Sequence, residues 1–142
     1  MRNVDVVIIG AGPAGATAGM NLAPFWRVLI VERFEEPIPR IGDSLAPAAR
    51  RLLTDMGIWE AFLSDGHSPW YLARSTWGDV MPSDRDSIAN ADGSGWQLDR
   101  SRFESRLRST AISRGAVLVS PARAMGVTRL PLQGERRFVW IK

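Results

Sequence analysis

An α/β fold built on a doubly wound parallel sheet is predicted by three features of the 142-residue sequence. Residues 4–9 form an almost unbroken β-branched apolar segment, as a strand covered on both faces should. Glycine-punctuated chain then leads into residues 14–22, whose alanine-rich composition suits a helix, and Pro24 stops it. Residues 27–33, RVLIVER, supply a second apolar strand with an acid near its end. Strand, helix and strand within about thirty residues make a βαβ unit, whose crossover is right-handed in nearly every known case.

Pro37, Pro39 and Gly42 make residues 34–43 an extended, irregular connection. Ser44 is placed to cap a helix that accepts Pro47 in its first turn, buries Leu45, Ala49, Leu52, Leu53 and Met56, and ends at Gly57. Residues 64–97 differ, with Trp70, Trp77 and Trp96 standing among Gly, Ser, Asp, Asn and Pro, and Asp92-Gly93 as a hairpin turn. They read as short antiparallel strands and long loops, a hairpin or three-stranded β insertion. In SRFE, residues 101–104, Ser101 and Glu104 match a capping box, so a helix starts there and closes at Gly115. Residues 116–120, AVLVS, read as a buried strand, and residues 127–130 and 137–141 as a hairpin around Gln133-Gly134. The chain has neither an internal repeat nor a low-complexity tract.

Hydrophobic residues make up 45% of the chain and charged residues 23%, a globular balance. No apolar run approaches the roughly 20 residues of a membrane-spanning helix, so no membrane span is expected. The first residues read as strand rather than as a basic region, apolar stretch and cleavage site, which makes the cytoplasm the expected compartment. Without cysteine the chain can form no disulfide, thiolate metal site or thiol nucleophile. Arginine carries nearly all the positive charge behind the net +3, Lys142 being the only lysine, and no basic run exceeds two residues. Scattered among acids in this way, the arginines offer no nucleic-acid patch.

Each glycine after the first strand has a separate use. Gly10 permits the tight turn, Gly12 leaves room for the backbone to approach a pyrophosphate, and Gly15 lets the helix lie close on the sheet. The free N–H groups and positive dipole end at the start of that helix favour an anion. Glu32 follows Gly10 by 22 residues, where its carboxylate can accept the hydroxyls of an adenosine ribose and disfavour a 2′-phosphate. The pattern predicts a dinucleotide cradle. NAD and FAD share the ADP half that such a cradle recognises, so these residues alone leave both open.

IIGAGPAGATAG followed by VLIVER resembles the N-terminal end of the FAD-dependent monooxygenase superfamily, whose Rossmann-like fold is typified by p-hydroxybenzoate hydroxylase. PRIGDSLAPAARRLLTDMGIWEAF is similar to a segment of flavin-dependent halogenases and halogenase-like monooxygenases, and GWQLDRSRFESRL to the family's Asp-Arg-x-x-Phe element. The resemblance runs from residue 4 to about residue 119. It implies FAD as cofactor, with Gly10, Gly12, Pro13, Ala14, Gly15 and Glu32 on the ADP part and Arg33, Arg40 and Arg100 as further contacts. A planar guanidinium also suits a pyrophosphate on its chemistry alone. The resemblance further implies an oxidoreductase of monooxygenase or halogenase type acting on an aromatic or similar small organic substrate. NAD(P)H would serve as a transient reductant, and the flavin would carry the difficult chemistry.

The segment LAPFWRV lacks the glycine usual in the family between the first helix and second strand, and Asp43 stands where a glutamate is commoner. The family's second FAD motif would lie far beyond residue 142. Residues 1–142 are therefore expected to be the N-terminal portion of an FAD-binding domain, truncated relative to the family, with residues 64–97 on the substrate side. A C-terminal region or a second chain would complete the site. The rivals are an NAD-dependent dehydrogenase domain and a noncatalytic remnant that binds dinucleotide weakly or not at all. No residue is assigned a catalytic role, and no metal is expected. His67, the only histidine, reads as structural because no motif sets an acid or serine around it. Asp84, Asp86 and Asp92 lack the remaining ligands of a calcium loop and read as turn residues. The tryptophans read as core and hairpin residues rather than a substrate cage.

Overall fold

The computed structural model describes residues 3–41, 43–76, 81, 83–86, 90–129 and 137–141. In chain order its elements are β1 (Val6–Ile9), α1 (Pro13–Leu22), β2 (Val28–Val31), β3 (Ser44–Leu45), α2 (Ala49–Asp55), α3 (Trp59–Ser64), β4 (Ser68–Trp70), β5 (Leu72–Ser75), β6 (Ser83–Asp86), β7 (Gly95–Gln97), α4 (Arg100–Ser113), β8 (Val117–Val119), β9 (Ala124–Arg129) and β10 (Arg137–Ile141). The chain divides into two compact units, Met1–Ile38 with Glu104–Lys142, and Pro39–Phe103.

In the first unit β2 lies between β1 and β8, and all three strands run parallel. Val6 faces Val28 and Ile9 faces Val31 on one side, while Leu29 faces Val117 and Val31 faces Val119 on the other. The helix α1 makes the β1–β2 crossover, as a parallel pair requires. It packs tightly on β2, since a Cβ added at Gly19 would come within 2.5 Å of Ile30 Cδ1. Met20, Val28, Ile30, Val31 and Leu107 form the buried core here, each contributing about 1.5–3 kcal/mol by leaving water.

Burial is concentrated in β2. The strands β1 and β8, expected to be buried, are the outer strands of this sheet among the described residues, with Ile9 59% and Val117 44% exposed. A strand with one neighbour keeps a flank open, so an apolar run does not by itself fix burial. In the same unit β9 and β10 pair antiparallel, Arg129 opposite Arg137. That is the hairpin expected from the sequence; its Gln133-Gly134 tip lies outside the described residues.

In the second unit β7 sits between β3 and β4, antiparallel to both, and β5 pairs antiparallel with β6. Ser44 is not a helix cap: with Leu45 it forms β3, opposite Gln97 and Trp96. Pro47 explains the shift, because a proline drives the residue before it out of helical backbone. The helix α2 starts later, after an Ala48 that makes no side-chain capping bond. Leu53 is buried as expected, Leu52 is 64% exposed, and Gly57 ends the segment at φ +67°.

The short helix α3 follows at once and was not foreseen from the sequence. It sets Phe62 at the centre of an aromatic core, with ring centroids 5.6 Å from Trp59, 5.4 Å from Trp96, 4.6 Å from His67 and 5.9 Å from Phe103. Trp70 covers Gly95, where a Cβ would collide with the indole. Trp70 and Trp96 are therefore packing residues, and Trp77 lies outside the described residues.

Asp92-Gly93 does form a turn, with Gly93 at φ +79° and its N–H donated to the Asn90 carbonyl. It is not a hairpin turn, because β6 and β7 pair with other strands. Asp84 pairs with Arg74 and Asp92 with Arg51. The cap of α4 is Asp99 rather than Ser101: its Oδ1 accepts the Arg102 N–H at 3.0 Å, and the helix begins at Arg100. An aspartate can satisfy the third amide of a helix as well as a serine can, so the earlier residue takes the position.

Candidate nucleotide-binding turn

The first strand ends at Ile9, and Gly10 then adopts φ +98°, a conformation that strains any residue with a side chain. Its N–H is donated to the Val31 carbonyl at 2.8 Å, tying the turn to β2. A Cβ at Gly15 would collide with the Gly10 carbonyl oxygen, so that glycine is required for the turn to close. Gly12 is different: a Cβ there would meet nothing within 4 Å. It is the N-cap of α1, and Pro13 opens the helix, a position that proline favours because it has no N–H to lose.

The start of α1 carries no side-chain cap and no acid in its first turn. The first amides of a helix have no partner inside it. Ala11 donates its N–H to Glu32 and Pro13 has none. The amides of Gly12, Ala14 and Gly15 remain, with no hydrogen-bond partner among the described residues. Three donors and the positive end of a helix thus gather beside open space, an arrangement that suits an anion.

Glu32 stands at the tip of β2. Its N–H is donated to the Val119 carbonyl and its own carbonyl accepts the Ala122 N–H, so the backbone is fixed. Only 7% of the residue is exposed. Its Oε2 accepts the Ala11 N–H at 2.6 Å and its Oε1 the Phe34 N–H at 3.0 Å, while Arg108 Nη2 lies 3.8 Å from Oε2. Burial pushes the carboxyl up, but the N–H groups of Ala11 and Phe34 and the Arg108 charge outweigh it and hold the group below its ordinary value. A carboxylate has about four acceptor directions. The Ala11 and Phe34 N–H groups take two of them, the Arg33 N–H and Arg108 also act on the group, and the acceptor capacity left over can serve a ribose hydroxyl. The acid is therefore both a candidate ligand and a strut of the glycine turn.

The structure brings Gly10, Gly12, Pro13, Ala14, Gly15 and Glu32 together in the first unit. Arg33 follows Glu32, exposed, with its guanidinium over the Phe34 ring at 4.5 Å from the centroid. Arg40 and Arg100 line a cavity of about 370 Å³ within the second unit, together with His67, Gln97 and Asp99. Arg100 is paired there with the Asp43 carboxylate. His67 Nδ1 accepts the Asp99 N–H at 3.2 Å. Burial pushes the imidazole below its ordinary value despite the charges of Asp65 and Asp99. Packed against Phe62, it fits the structural role expected for it.

Arg108 was missed by sequence reasoning. Its Nε donates to the Ala11 carbonyl at 2.9 Å and its Nη1 to the Phe34 carbonyl at 3.5 Å, and it is only 7% exposed. One signal was available. Arg108 stands one residue after Leu107 and three before Ala111, a helical spacing that sets it beside the apolar stripe of α4 but says nothing of the turn it contacts.

Comparison with known proteins agrees with this geometry. The FAD binding domain family matches residues 3–129. The chain is 29% identical over 143 residues to a Marinomonas mediterranea protein assigned as the FAD-dependent oxidoreductase LodB, covering 98% of this chain and 38% of that one. It is 31% identical over 115 residues to the 1H-pyrrole-2-carbonyl peptidyl-carrier-protein brominase of Pseudoalteromonas luteoviolacea, covering 80% of this chain and 28% of that one. The chain thus spans well under half the length of either relative. The fold matches that of the myxobacterial FAD-dependent halogenase CndH with a TM-score of 0.80 at 23% identity, over 97% of this chain and 35% of that one. Among the described residues no helix is long and apolar enough to cross a membrane. With a parallel-sheet α/β fold, an open glycine turn and a match over residues 3–129, the chain belongs to the FAD binding domain family.

Proposed function

We propose that this chain grips the ADP portion of FAD in a flavin-dependent oxidoreductase of monooxygenase or halogenase type. The observation that carries the reading is the meeting, at one turn, of the unpartnered Gly12, Ala14 and Gly15 amides with the Glu32 carboxylate. The diphosphate takes the amides, and a ribose hydroxyl takes the remaining acceptor capacity of Glu32. The open space at Gly12 leaves room for the ligand, so the residues present fit the cofactor. Pro13 presets the first helical turn without adding a competing donor. Arg33, Arg40 and Arg100 are proposed as further phosphate-pairing groups on guanidinium chemistry.

When bound, the flavin supplies two-electron exchange with a nicotinamide and reaction with O₂. The chain's own residues bind and orient the nucleotide. The substrate is proposed to be an aromatic small molecule, free or held on a carrier protein, a reading supported by the brominase relative. Residues 64–97 are proposed to serve the substrate side. A further region or a second chain is proposed to complete the flavin site, a reading supported by the greater length of the relatives.

Titration of the purified protein with FAD and with NAD tests the cofactor. FAD is expected to bind with quenching of flavin fluorescence and to raise the melting temperature, by about 2.7 kcal/mol of stability at a hundredfold excess over the dissociation constant. NAD at the same concentration is expected to leave the melt unchanged. No FAD binding up to about 1 mM, an affinity near 4 kcal/mol, would refute the reading, as would a larger stabilisation by NAD.

A further inference from the structure

The observations that lead furthest beyond this reading concern Arg108. A charge at a core position of a helix is costly to desolvate, and an apolar residue of similar size would pack there at least as well. Its three guanidinium nitrogens face three separate targets, two of the nitrogens as hydrogen-bond donors and the third as an ion-pair contact. Nε donates to the Ala11 carbonyl at 2.9 Å, Nη1 to the Phe34 carbonyl at 3.5 Å, and Nη2 lies 3.8 Å from Glu32 Oε2. Two of those targets, Ala11 and Glu32, are already joined to each other by the Ala11 N–H.

The Ala11 carbonyl shares a peptide plane with the Gly12 N–H. A trans peptide is planar, and its carbonyl and N–H point in opposite directions. Fixing that carbonyl on Arg108 therefore fixes the Gly12 N–H pointing away from Arg108. Because Ala11 donates its own N–H to Glu32, both peptides flanking Ala11 are held, one by the acid and one by the arginine.

We infer that Arg108 is a positioning residue of the nucleotide site: by holding the Ala11 carbonyl beside Glu32, it aims the Gly12 N–H at the ligand's diphosphate. The inference rests on the proposed binding of the ADP portion at this turn. Lysine is a poor substitute, since one ammonium at the end of a flexible stem cannot span three acceptors in a fixed plane.

The test titrates the purified protein with ADP, following affinity and the ¹⁵N–¹H resonances of Gly12, Ala14 and Gly15, in wild type, R108K, E32Q and the double variant E32Q/R108M. R108K keeps the buried positive charge beside Glu32 and is expected to fold. It is expected to bind ADP about tenfold more weakly, the scale of one lost charge-assisted hydrogen bond. Its Gly12 resonance should move less than half as far on saturation as in wild type, while those of Ala14 and Gly15 still respond. A merely structural role would scale all three amides together and would overturn the inference, as would wild-type affinity in R108K. Should R108K fail to fold, E32Q/R108M strands neither charge and is compared with E32Q by the same criterion: a selective loss at Gly12 supports the inference, and an equal Gly12 response overturns it. Wild-type protein that binds no ADP removes the underlying reading together with the inference. Wild-type binding with an unchanged Gly12 response in R108K removes the inference alone.

Discussion

Gly15→Ala is expected to abolish measurable FAD binding and to lower the melting temperature, because the new Cβ would collide with the Gly10 carbonyl oxygen. That oxygen belongs to backbone and cannot swing aside. Gly10 is held at φ +98° with its N–H on the Val31 carbonyl. The helix cannot shift sideways along the sheet either, since Gly19 already lies tight on Ile30. Overpacking of this kind costs about 1–3 kcal/mol where relaxation is available, and more where it is not. Gly12→Ala is the informative contrast. A Cβ there meets no protein atom within 4 Å, so the variant is expected to melt like wild type and, on the proposed binding mode, to lose FAD affinity. Thermal melts and flavin titrations of the two variants separate closure of the turn from use of it. Equal melting temperatures for wild type and Gly15→Ala would contradict the geometry.

Glu32→Ala is expected to cost both affinity and stability. Removing one member of a buried ion pair leaves the other charge uncompensated, typically a loss of about 3–5 kcal/mol, and here the survivor is the buried Arg108. The Ala11 N–H loses its acceptor as well. Glu32→Gln should retain more of the fold, since an amide oxygen can still accept from Ala11, but its NH₂ would face the donor N–H of Phe34. The effect should depend on pH. The folded-state pKa of Glu32 is lowered from its ordinary 4.5. Its stabilising contribution is therefore complete above that value and is lost as pH falls through the lower, folded-state pKa. The difference in melting temperature between wild type and Glu32→Gln should accordingly be largest near neutrality and shrink below about pH 4. A difference that grows on acidification would show that the carboxylate is not held in its charged form.

What was legible in the sequence is what local spacing determines. Gly10 and Gly15 were legible because each answers a backbone constraint within a few residues, and the place of Glu32 because strand length sets it at a strand tip; Gly12 meets no such constraint within the chain. The β1–α1–β2 crossover followed from the same short window. Arg108 was not legible as part of the turn, because its contact with Ala11 spans 97 residues and no local pattern encodes it. Caps failed for a related reason. Ser44 and Ser101 both carry the right side chain, yet Pro47 and Asp99 decide where α2 and α4 begin. The strands β1 and β8 read as buried because their composition is apolar, but burial depends on neighbours that composition does not name. In the second unit, Phe62 gathers Trp96 and Phe103 from segments distant in sequence, a cluster that only the folded chain reveals.

The most direct measurement of the central claim is the electron density of ADP soaked into crystals of this protein. The account predicts diphosphate oxygens within hydrogen-bonding distance, about 2.7–3.2 Å, of the Gly12, Ala14 and Gly15 amides, with a ribose hydroxyl on the Glu32 carboxylate. Well-ordered nucleotide at another place on the chain, with Glu32 still engaged only by Ala11, Arg33, Phe34 and Arg108, would contradict it.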